Sequence, residues 1–252
     1  MKMCHFDATH FSRLAALEAG HFWFEARNRL IAWAMRRYFP NTGCFLEVGC
    51  GTGFVLCRLQ REFPTCEFWG SEIQAEGLKF AAERVTRSRL IQMDAHRMPF
   101  RERFDAIGAF DVLEHIEDDG WVLKEIYRSI RPAGGLLLTV PQHPYLFSRA
   151  DETAGHVRRY RASELRRRVE EAGFRVRRMT SFVSLPFPLM LMRRMRRRTD
   201  PKYDLYDEMR LGWLANSILR AAFRPEMALI RAGLSFPFGG SLLLVADKRG
   251  SV

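Results

Sequence analysis

Short apolar runs that alternate with amphipathic segments are the feature that most limits how this chain can fold. Such runs recur between residues 44 and 141, and the stretches that separate them carry apolar residues at helical spacing. Strands that alternate with helices favour a doubly wound sheet in which most strands are parallel. The sequence therefore predicts an α/β fold.

Seven strands and five helices are predicted along the chain. The strands are expected at residues 44–48, 66–72, 89–94, 104–110, 134–141, 174–182 and 240–248. The helices are expected at residues 21–39, 54–63, 75–85, 120–130 and directly after Ser163, a residue type favoured at the N-cap. Gly173 should end the last of these helices, because glycine commonly stands just past a helix C-terminus. The expected fold is thus a mainly parallel, seven-stranded, doubly wound sheet.

Three parts of the chain differ in this pattern. Residues 1–40 precede the first strand and are predicted to form an N-terminal helical cap. Residues 41–182 and 239–252 hold all seven predicted strands and should form the ligand-binding domain. Residues 183–238 break the alternation, which predicts an inserted helical lid before the last strand.

The sequence FLEVGCGTGF, at residues 45–54, concentrates three glycines directly after the first predicted strand. Open α/β sheets bind ligands at this point, and glycine lets the backbone approach a ligand closely. The spacing is G-x-G-x-G, whereas the dinucleotide fingerprint would need glycine at Phe54. A pyrophosphate also favours a helix N-terminus without a carboxylate beside it, and here Glu47 is adjacent. An NAD-dependent oxidoreductase is therefore disfavoured, and a nucleoside with an amino-acid tail is favoured.

The net charge of +11 is concentrated in one segment. Residues 155–198 hold fourteen arginines and three glutamates, so the rest of the chain is neutral overall. Such a segment indicates an anionic partner, or a set of solvated helix faces. Its end, LPFPLMLMRRMRRR at residues 185–198, joins an apolar stretch to five arginines, which is typical of an interfacial helix on anionic lipid. We therefore expect peripheral contact with the inner face of a membrane through residues 185–198.

Cysteine usage and hydrophobicity bear on location. The five cysteines are an odd number and form no C-x-x-C pair, which favours free thiols in a reducing cytoplasm and predicts no metal centre. The longest apolar stretch, residues 182–192, is shorter than the roughly 20 residues that span a bilayer. We expect a cytoplasmic protein without an integral membrane segment.

Four motifs, in order along the chain, resemble those of the class I S-adenosylmethionine-dependent methyltransferases. They are LEVGCGTG (46–53), WGSEI (69–73), QMDAHRMPF (92–100) and FDAIGAFDVLEHIED (104–118). The sequences HFWFEARNRLI and GHVRRY are similar to those of a bacterial branch that acts on small molecules and lipids. The resemblance implies a Rossmann-like methyltransferase fold, S-adenosylmethionine as the cofactor and S-adenosylhomocysteine as the product.

The resemblance also implies which residues hold the methionine end of the cofactor. The acidic residue of the first motif corresponds to Glu47, and the glycines of its loop to Gly49, Gly51 and Gly53. In the predicted N-terminal helix, Arg27 could reach the cofactor carboxylate.

Other residues are implied to hold the nucleoside. Glu72, at the end of the second strand, corresponds to the residue that binds the ribose hydroxyls, and Ile73 would pack on the adenine. Asp94 corresponds to the residue that reaches the adenine amine, with Ala95 supplying backbone contacts. Phe110, at the end of the fourth strand, is a further expected cofactor contact.

The aromatic run Phe22, Trp23 and Phe24 cannot all face one way on a helix. Trp23 is expected to cover the cofactor, and core packing is the alternative for each of the three residues.

Methyl transfer from a sulfonium is an in-line displacement that needs alignment of the two reactants more than acid–base power. A hydroxyl or amine acceptor can also need a base. Candidate bases in predicted loops on the ligand side are His115, His143 and His156. The residues that follow His156 would suit an anionic group of the substrate, and they are Arg158, Arg159 and Tyr160.

Three functions stay open at this point. The leading one is methyl transfer to a small-molecule or lipid-linked acceptor. An RNA methyltransferase could use the arginines of residues 155–198, since phosphate contacts need only arginine. FDVLEHI lacks the Pro-Pro-aromatic signature of amino-methylating nucleic-acid enzymes, which disfavours a DNA adenine or a glutamine amide as the target. The basic segment also lacks the interleaved aromatic residues that stack bases. The third is a non-catalytic module that binds S-adenosylmethionine. The sequence does not specify the acceptor or the oligomeric state.

Overall fold

The computed structural model describes residues 8–185, 187, 206 and 209–248. The strands are β1 (Cys44–Val48), β2 (Glu67–Glu72), β3 (Ser88–Gln92), β4 (Phe104–Phe110), β5 (Ile130–Pro141), β6 (Phe174–Phe182) and β7 (Ser241–Lys248). The α-helices of the described residues are α1 (Ala8–Glu18), α2 (Phe22–Tyr38), α3 (Phe54–Glu62), α4 (Ala75–Arg84), α5 (Asp119–Ser129), α6 (Arg149–Thr153), α7 (Ala162–Glu171) and α8 (Trp213–Arg231).

One sheet contains all seven strands, in the order β3-β2-β1-β4-β5-β7-β6. The first five strands of that order pair in parallel, and β7 pairs antiparallel with both β5 and β6. The predicted mainly parallel, doubly wound sheet is therefore confirmed. The winding reverses between β1 and β4, and ligands of such sheets bind outside the carboxyl ends of the strands at that point.

The core lies on both faces of the sheet, because helices cover each side. Side chains alternate between two apolar clusters along β1, where Leu46 belongs to one cluster and Phe45 to the other. All five residues of β1 are buried, which is typical of a central parallel strand. This buried centre holds the strand ends, and the loops that follow them, in fixed positions.

The structure corrects some predicted boundaries. Helix α7 begins at Ala162 with Arg161 at its N-cap, so the prediction that Ser163 caps this helix is wrong. Strand β5 begins at Ile130, earlier than predicted, because Ile130 pairs with Phe104 ahead of an irregularity in the ladder. The expected end of α7 is confirmed, since Gly173 follows it with a φ of +104°.

Helices α1 and α2 precede the sheet, and α8 lies within residues 183–238. Helix α1 packs on α4, and α8 packs along α2. The predicted interfacial stretch 185–198 lies outside the described residues, apart from Leu185 and Phe187. The division into cap, main domain and lid stays a prediction. In the described part of the chain, no helix combines the length and the apolar character needed to cross a bilayer.

Candidate active site

The loop between β1 and α3 holds its three glycines in the left-handed region, with φ values of +68°, +51° and +73° at Gly49, Gly51 and Gly53. A Cβ at Gly49 would lie 2.6 Å from Val112, and one at Gly53 would lie 3.0 Å from Ala81. A Cβ at Gly51 would meet no heavy atom within 4 Å. Gly49 and Gly53 are therefore needed for internal packing as well as for backbone shape, whereas Gly51 borders open space.

Glu72, at the end of β2, connects this loop to the next one. One carboxylate oxygen accepts a hydrogen bond from the Gly51 N–H at 3.0 Å. The other accepts from the N–H groups of Ile73 at 2.8 Å and Gln74 at 3.1 Å. Burial raises the pKa of Glu72, and these hydrogen bonds oppose the rise. The side chain of Ile73, next to this half-buried carboxylate, is 40% exposed.

Glu47, in β1, is almost completely buried. Its Oε2 atom has no hydrogen-bond partner among the described residues. Burial raises its pKa to about 8, and the nearby charge of Arg27 opposes the rise. A buried acceptor without a donor is costly, so this carboxyl group is suited to bind a cationic or hydrogen-bond-donating ligand.

Arg27, on α2, lies among several acidic groups. It donates a hydrogen bond to Asp111, which directly follows β4 and also accepts from the Thr139 hydroxyl at 3.2 Å. The Trp23 ring lies 4.7 Å from the guanidinium carbon of Arg27, a cation–π contact. Arg27 is buried, but its Nε has no hydrogen-bond partner in the described part of the chain. The structure thus places Trp23 and Arg27 together, beside the carboxyl end of β4.

Of the other expected cofactor residues, Asp94 and Ala95 lie in the loop after β3, whereas Phe110 lies in the core. Asp94 begins a one-turn 3-10 helix that includes Ala95, and its Oδ1 accepts from the His96 backbone N–H at 2.9 Å. Phe110 is buried in a core cluster, and its ring lies over Gly108, where a Cβ would be 2.4 Å away. The Phe110 side chain therefore packs in the core, and its expected contact with the cofactor stays a prediction.

Two of the three candidate bases lie together. His115 ends the 3-10 helix after β4, and its ring centroid is 4.7 Å from that of His156, with the planes at 83°. His115 Nδ1 is 3.2 Å from the Gly155 carbonyl oxygen, which can only accept, so this nitrogen carries the proton. Burial lowers the pKa of His115 to about 3, and the charge of His156 acts in the same direction. His115 is therefore neutral at neutral pH.

His156 lies between two buried carboxyl groups. Its Nδ1 is 3.0 Å from Asp151, and the same Asp151 oxygen accepts from Arg159 Nε at 2.7 Å. Its Nε2 is 4.0 Å from Glu114. Both carboxylate oxygens of Glu114 are buried and have no hydrogen-bond partner among the described residues. Burial raises the pKa of Glu114 well above its ordinary value, and the charge of Asp111 adds to the rise.

Glu114, His115 and His156 also resemble a ligand set for a metal ion, because one ligand-type atom from each lies within 4.8 Å of the others. Two imidazoles and one carboxylate would suit a divalent transition metal. The same three groups can equally accept and donate protons in acid–base catalysis.

His143, the third candidate base, lies apart from this pair. It follows β5 with a φ of +67°, and its ring is 5.0 Å from that of Tyr145 and 5.4 Å from that of Phe187. Burial and the charge of Arg159 lower the pKa of His143. Its Nε2 is buried without a hydrogen-bond partner in the described part of the chain.

The residues expected to bind an anionic substrate group have other partners. Tyr160 is fully buried and donates its hydroxyl to Asp119 at 2.6 Å. Arg158 forms an ion pair with Asp119 at 3.1 Å, and Arg159 forms one with Asp151 at 2.7 Å. Arg158, Arg159 and Tyr160 thus anchor the loop of GHVRRY to the domain, and their contact with the substrate stays a prediction.

Sequence reasoning missed the acidic partners of these groups, which are Asp111, Glu114, Asp119 and Asp151. Glu114 stands within a motif already singled out, next to His115, and could have been found there. Asp151 carries no local signal, because it reaches His156 only through the fold. Glu18 was also missed, although its carboxylate accepts from the Thr52 hydroxyl of the glycine loop at 2.6 and 2.8 Å.

The chain is similar in sequence to known methyltransferases. Malonyl-[acyl-carrier protein] O-methyltransferase from Priestia megaterium is 25% identical over 114 residues, which are 44% of this chain and 42% of that protein. Demethylmenaquinone methyltransferase from Thermotoga maritima is 33% identical over 94 residues, which are 37% of this chain and 41% of that protein. The matched region thus spans about two fifths of these relatives.

Solved structures show the same fold. Phosphoethanolamine N-methyltransferase 2 from Haemonchus contortus, in complex with S-adenosyl-L-methionine, superposes with a TM-score of 0.64 at 18% identity, over 98% of this chain and 58% of that chain. The sequence pattern of the family described as "Methyltransferase domain" matches residues 16–178, more than half of the chain. The protein therefore belongs to the class I S-adenosylmethionine-dependent methyltransferases.

Proposed function

We propose that the protein transfers a methyl group from S-adenosylmethionine to a small, largely apolar acceptor, and that His156 removes the acceptor proton. The observation that carries this proposal is the position of His156 between Asp151 and Glu114, next to the strand end that borders the glycine loop. Val112 connects the two features, since it lies against Gly49 and directly precedes the 3-10 helix of Glu114 and His115.

The residues around the glycine loop fit the cofactor. Glu47 offers a buried oxygen without a partner among the described residues, which would face the cofactor ammonium. Gly51 leaves space where a side chain would otherwise stand, and Ile73 offers an exposed apolar surface for the adenine. Glu72 would accept hydrogen bonds from the ribose hydroxyls, and Asp94 would accept one from the adenine amine. When bound, the cofactor supplies a methyl group that its sulfonium has already activated.

The chain's own groups would then prepare the acceptor. Asp151 accepts a hydrogen bond from His156 Nδ1, which leaves the Nε2 lone pair as the proton acceptor. Arg159 donates to the same Asp151 oxygen and helps to hold this carboxylate in place. Glu114 lies 4.0 Å from Nε2, too far for a direct hydrogen bond, so this carboxyl group does not occupy the Nε2 lone pair. His156 would thus draw the proton from the atom that receives the methyl group.

The names of similar proteins support a small-molecule or lipid-linked acceptor. Names of similar proteins include malonyl-[acyl-carrier protein], demethylmenaquinone and fatty-acid methyltransferases. Each of these names describes a small acid or a lipid-like acceptor, and we propose an acceptor of that kind, free or lipid-linked. Peripheral membrane contact through residues 185–198 stays part of this proposal.

RNA is disfavoured as the acceptor because most of the arginines that the structure describes in the basic segment form ion pairs within the protein. The described part of that segment, residues 155–185, contains nine arginines. Seven of them form ion pairs with carboxylates: Arg158, Arg159, Arg166, Arg167, Arg168, Arg175 and Arg177. Phosphate binding would require these guanidinium groups to exchange their partners.

Substitution of His156 by glutamine tests the proposal. We expect kcat to fall on the order of 100-fold or more, the usual contribution of a general base. The dissociation constant of S-adenosylhomocysteine should not change, because His156 does not belong to the glycine loop. The measurement is release of S-adenosylhomocysteine with demethylated quinol, malonyl-acyl carrier protein and free fatty acid as acceptors, and calorimetry of product binding.

Two results would contradict this assignment. One is a large loss of kcat in His143→Gln with little loss in His156→Gln, which would make His143 the base. The other is loss of activity in a chelator followed by recovery with a divalent cation. That result would favour metal binding by Glu114, His115 and His156 over proton transfer.

A further inference from the structure

Helix α8 presents an apolar stripe to the outside of the molecule. Residues 214, 218, 221, 225 and 229 are Leu, Ile, Ala, Pro and Leu, and their spacing places them on one side of the helix. All five are exposed, with Leu214 at 58% and Ile218 at 59%. Trp213, at the start of the helix, is 79% exposed. A contiguous exposed stripe of this kind marks a surface that binds a partner.

A row of arginines runs beside this stripe. Arg220, Arg224 and Arg231 of α8, together with Arg29 of α2, line a groove of about 280 Å³ between the two helices. The floor of the groove is apolar and includes Phe22, Ala26, Phe223 and Met227. Arginines above an apolar floor suit an amphipathic anion.

Few acidic groups balance these arginines. Glu25 lines the groove and lies 3.4 Å from Arg29 and 3.8 Å from Arg220. Arg224 and Arg231 form no ion pair within the described residues. The one acidic residue of α8, Glu226, is buried and accepts backbone hydrogen bonds from Ser184 and Leu185 at its opposite face. The outer face of α8 is therefore apolar and positive.

We propose that α8 docks the protein on an anionic lipid bilayer, with its apolar stripe in the interface and lipid phosphates at Arg224 and Arg231. A helix that lies flat in a membrane interface has this arrangement, an exposed apolar face with cationic residues along its edge. Helix α7 provides the contrast, because its exposed Arg166 and Arg167 pair with Glu170 and Glu171 and adjoin no such stripe. The combination of apolar stripe and cationic edge therefore favours an anionic lipid surface over an apolar protein partner.

The docking face is connected to the candidate active site through α2. Asn216 of α8 accepts from the Phe22 backbone N–H at 2.8 Å and donates to the Gly20 carbonyl at 2.7 Å. These bonds fix the start of α2, the helix that carries Trp23 and Arg27. The inference thus rests on the proposed function and deepens it, because an apolar acceptor would be available at the surface on which α8 lies.

Vesicle sedimentation tests the docking proposal, using the full chain with phosphatidylcholine vesicles that contain or lack phosphatidylglycerol. We expect binding to the anionic vesicles only, and weaker binding at higher salt. Arg224→Gln/Arg231→Gln should reduce the affinity roughly thirtyfold, since each cation at such a surface contributes about fivefold. Leu214→Ser/Ile218→Ser should also reduce it, although these exposed changes leave thermal unfolding unaltered.

The matched control is Arg166→Gln/Arg167→Gln, which removes the same charge from α7 and should bind anionic vesicles as the unchanged protein does. Equal losses in this control would show a general charge effect and overturn the proposal. Absence of vesicle binding by the unchanged protein, or tight tRNA binding in its place, would also overturn it. Product binding, measured on every variant, shows whether the cofactor site is intact. A failure of the proposed function would instead appear as an unchanged kcat in His156→Gln, which is independent of vesicle binding.

Discussion

At the scale of single residues, the three glycines of the β1–α3 loop have different physical reasons to be glycine. All three adopt positive φ, so any other residue there carries a backbone cost of about 1–2 kcal/mol. At Gly49 a Cβ would also overlap Val112, whereas at Gly51 it would enter open space. Gly49 therefore supports the fold, and we propose that Gly51 leaves space for the ligand.

This difference predicts opposite outcomes for two alanine substitutions. The unfolding free energy of Gly51→Ala should lie within about 2 kcal/mol of that of the unchanged protein. Its dissociation constant for S-adenosylhomocysteine should rise at least tenfold, which corresponds to about 1.4 kcal/mol of binding free energy. Gly49→Ala should lose an additional 1–3 kcal/mol or so of stability, the usual cost of overpacking. Urea unfolding and calorimetry measure the two quantities.

Gly233→Ala is the matched control, since Gly233 also has a positive φ, and a Cβ added there would meet no heavy atom within 4 Å. Gly233→Ala should lose unfolding free energy through the backbone cost, and its dissociation constant for S-adenosylhomocysteine should not change. Unchanged product binding by Gly51→Ala would place the ligand elsewhere.

At the scale of elements, local patterns predicted the strands and helices well because each depends on a short run of residues. The glycine loop and Glu72 were found for the same reason, since their motifs directly follow strands. The partners of GHVRRY could not be found in this way. Asp119 and Asp151 reach Tyr160 and Arg159 only after β5, α5 and α6 have packed, and the fold alone determines that pairing.

The hydrogen bond from Tyr160 to Asp119 predicts that Tyr160 contributes to stability and not to substrate binding. Tyr160→Phe removes the hydroxyl that donates to Asp119, so the unfolding free energy should fall by about 1.5–3 kcal/mol, the range for hydrogen bonds to charged groups. The KM for the acceptor should not change. Tyr38→Phe serves as a control that should change neither the unfolding free energy nor the KM. A raised KM with an unaltered unfolding free energy in Tyr160→Phe would instead indicate that Tyr160 contacts the substrate.

At the scale of the whole molecule, buried ionisable groups around the candidate site determine how stability depends on pH. The pKa of Glu47 is raised from 4.5 to about 8, so the folded state retains a proton that the unfolded state has lost. Stability from this group is complete below its ordinary pKa and is lost as the pH rises through 8. The lowered pKa of His115, about 3, acts oppositely, because folding then excludes a proton below pH 6.5.

The unfolding free energy of the protein without cofactor should therefore fall as the pH rises from 6.5 through 8, where His115 no longer opposes Glu47. Each proton lost contributes up to about 1.4 kcal/mol per pH unit, and Glu114 acts in the same direction as Glu47. Urea unfolding at several pH values measures this slope, and Glu47→Gln should reduce it. Because the cofactor ammonium would favour ionised Glu47, S-adenosylhomocysteine should stabilise the protein more as the pH rises from 6.5 to 8. An equal stabilisation at both pH values, in unchanged protein and in Glu47→Gln, would separate Glu47 from the methionine end of the ligand.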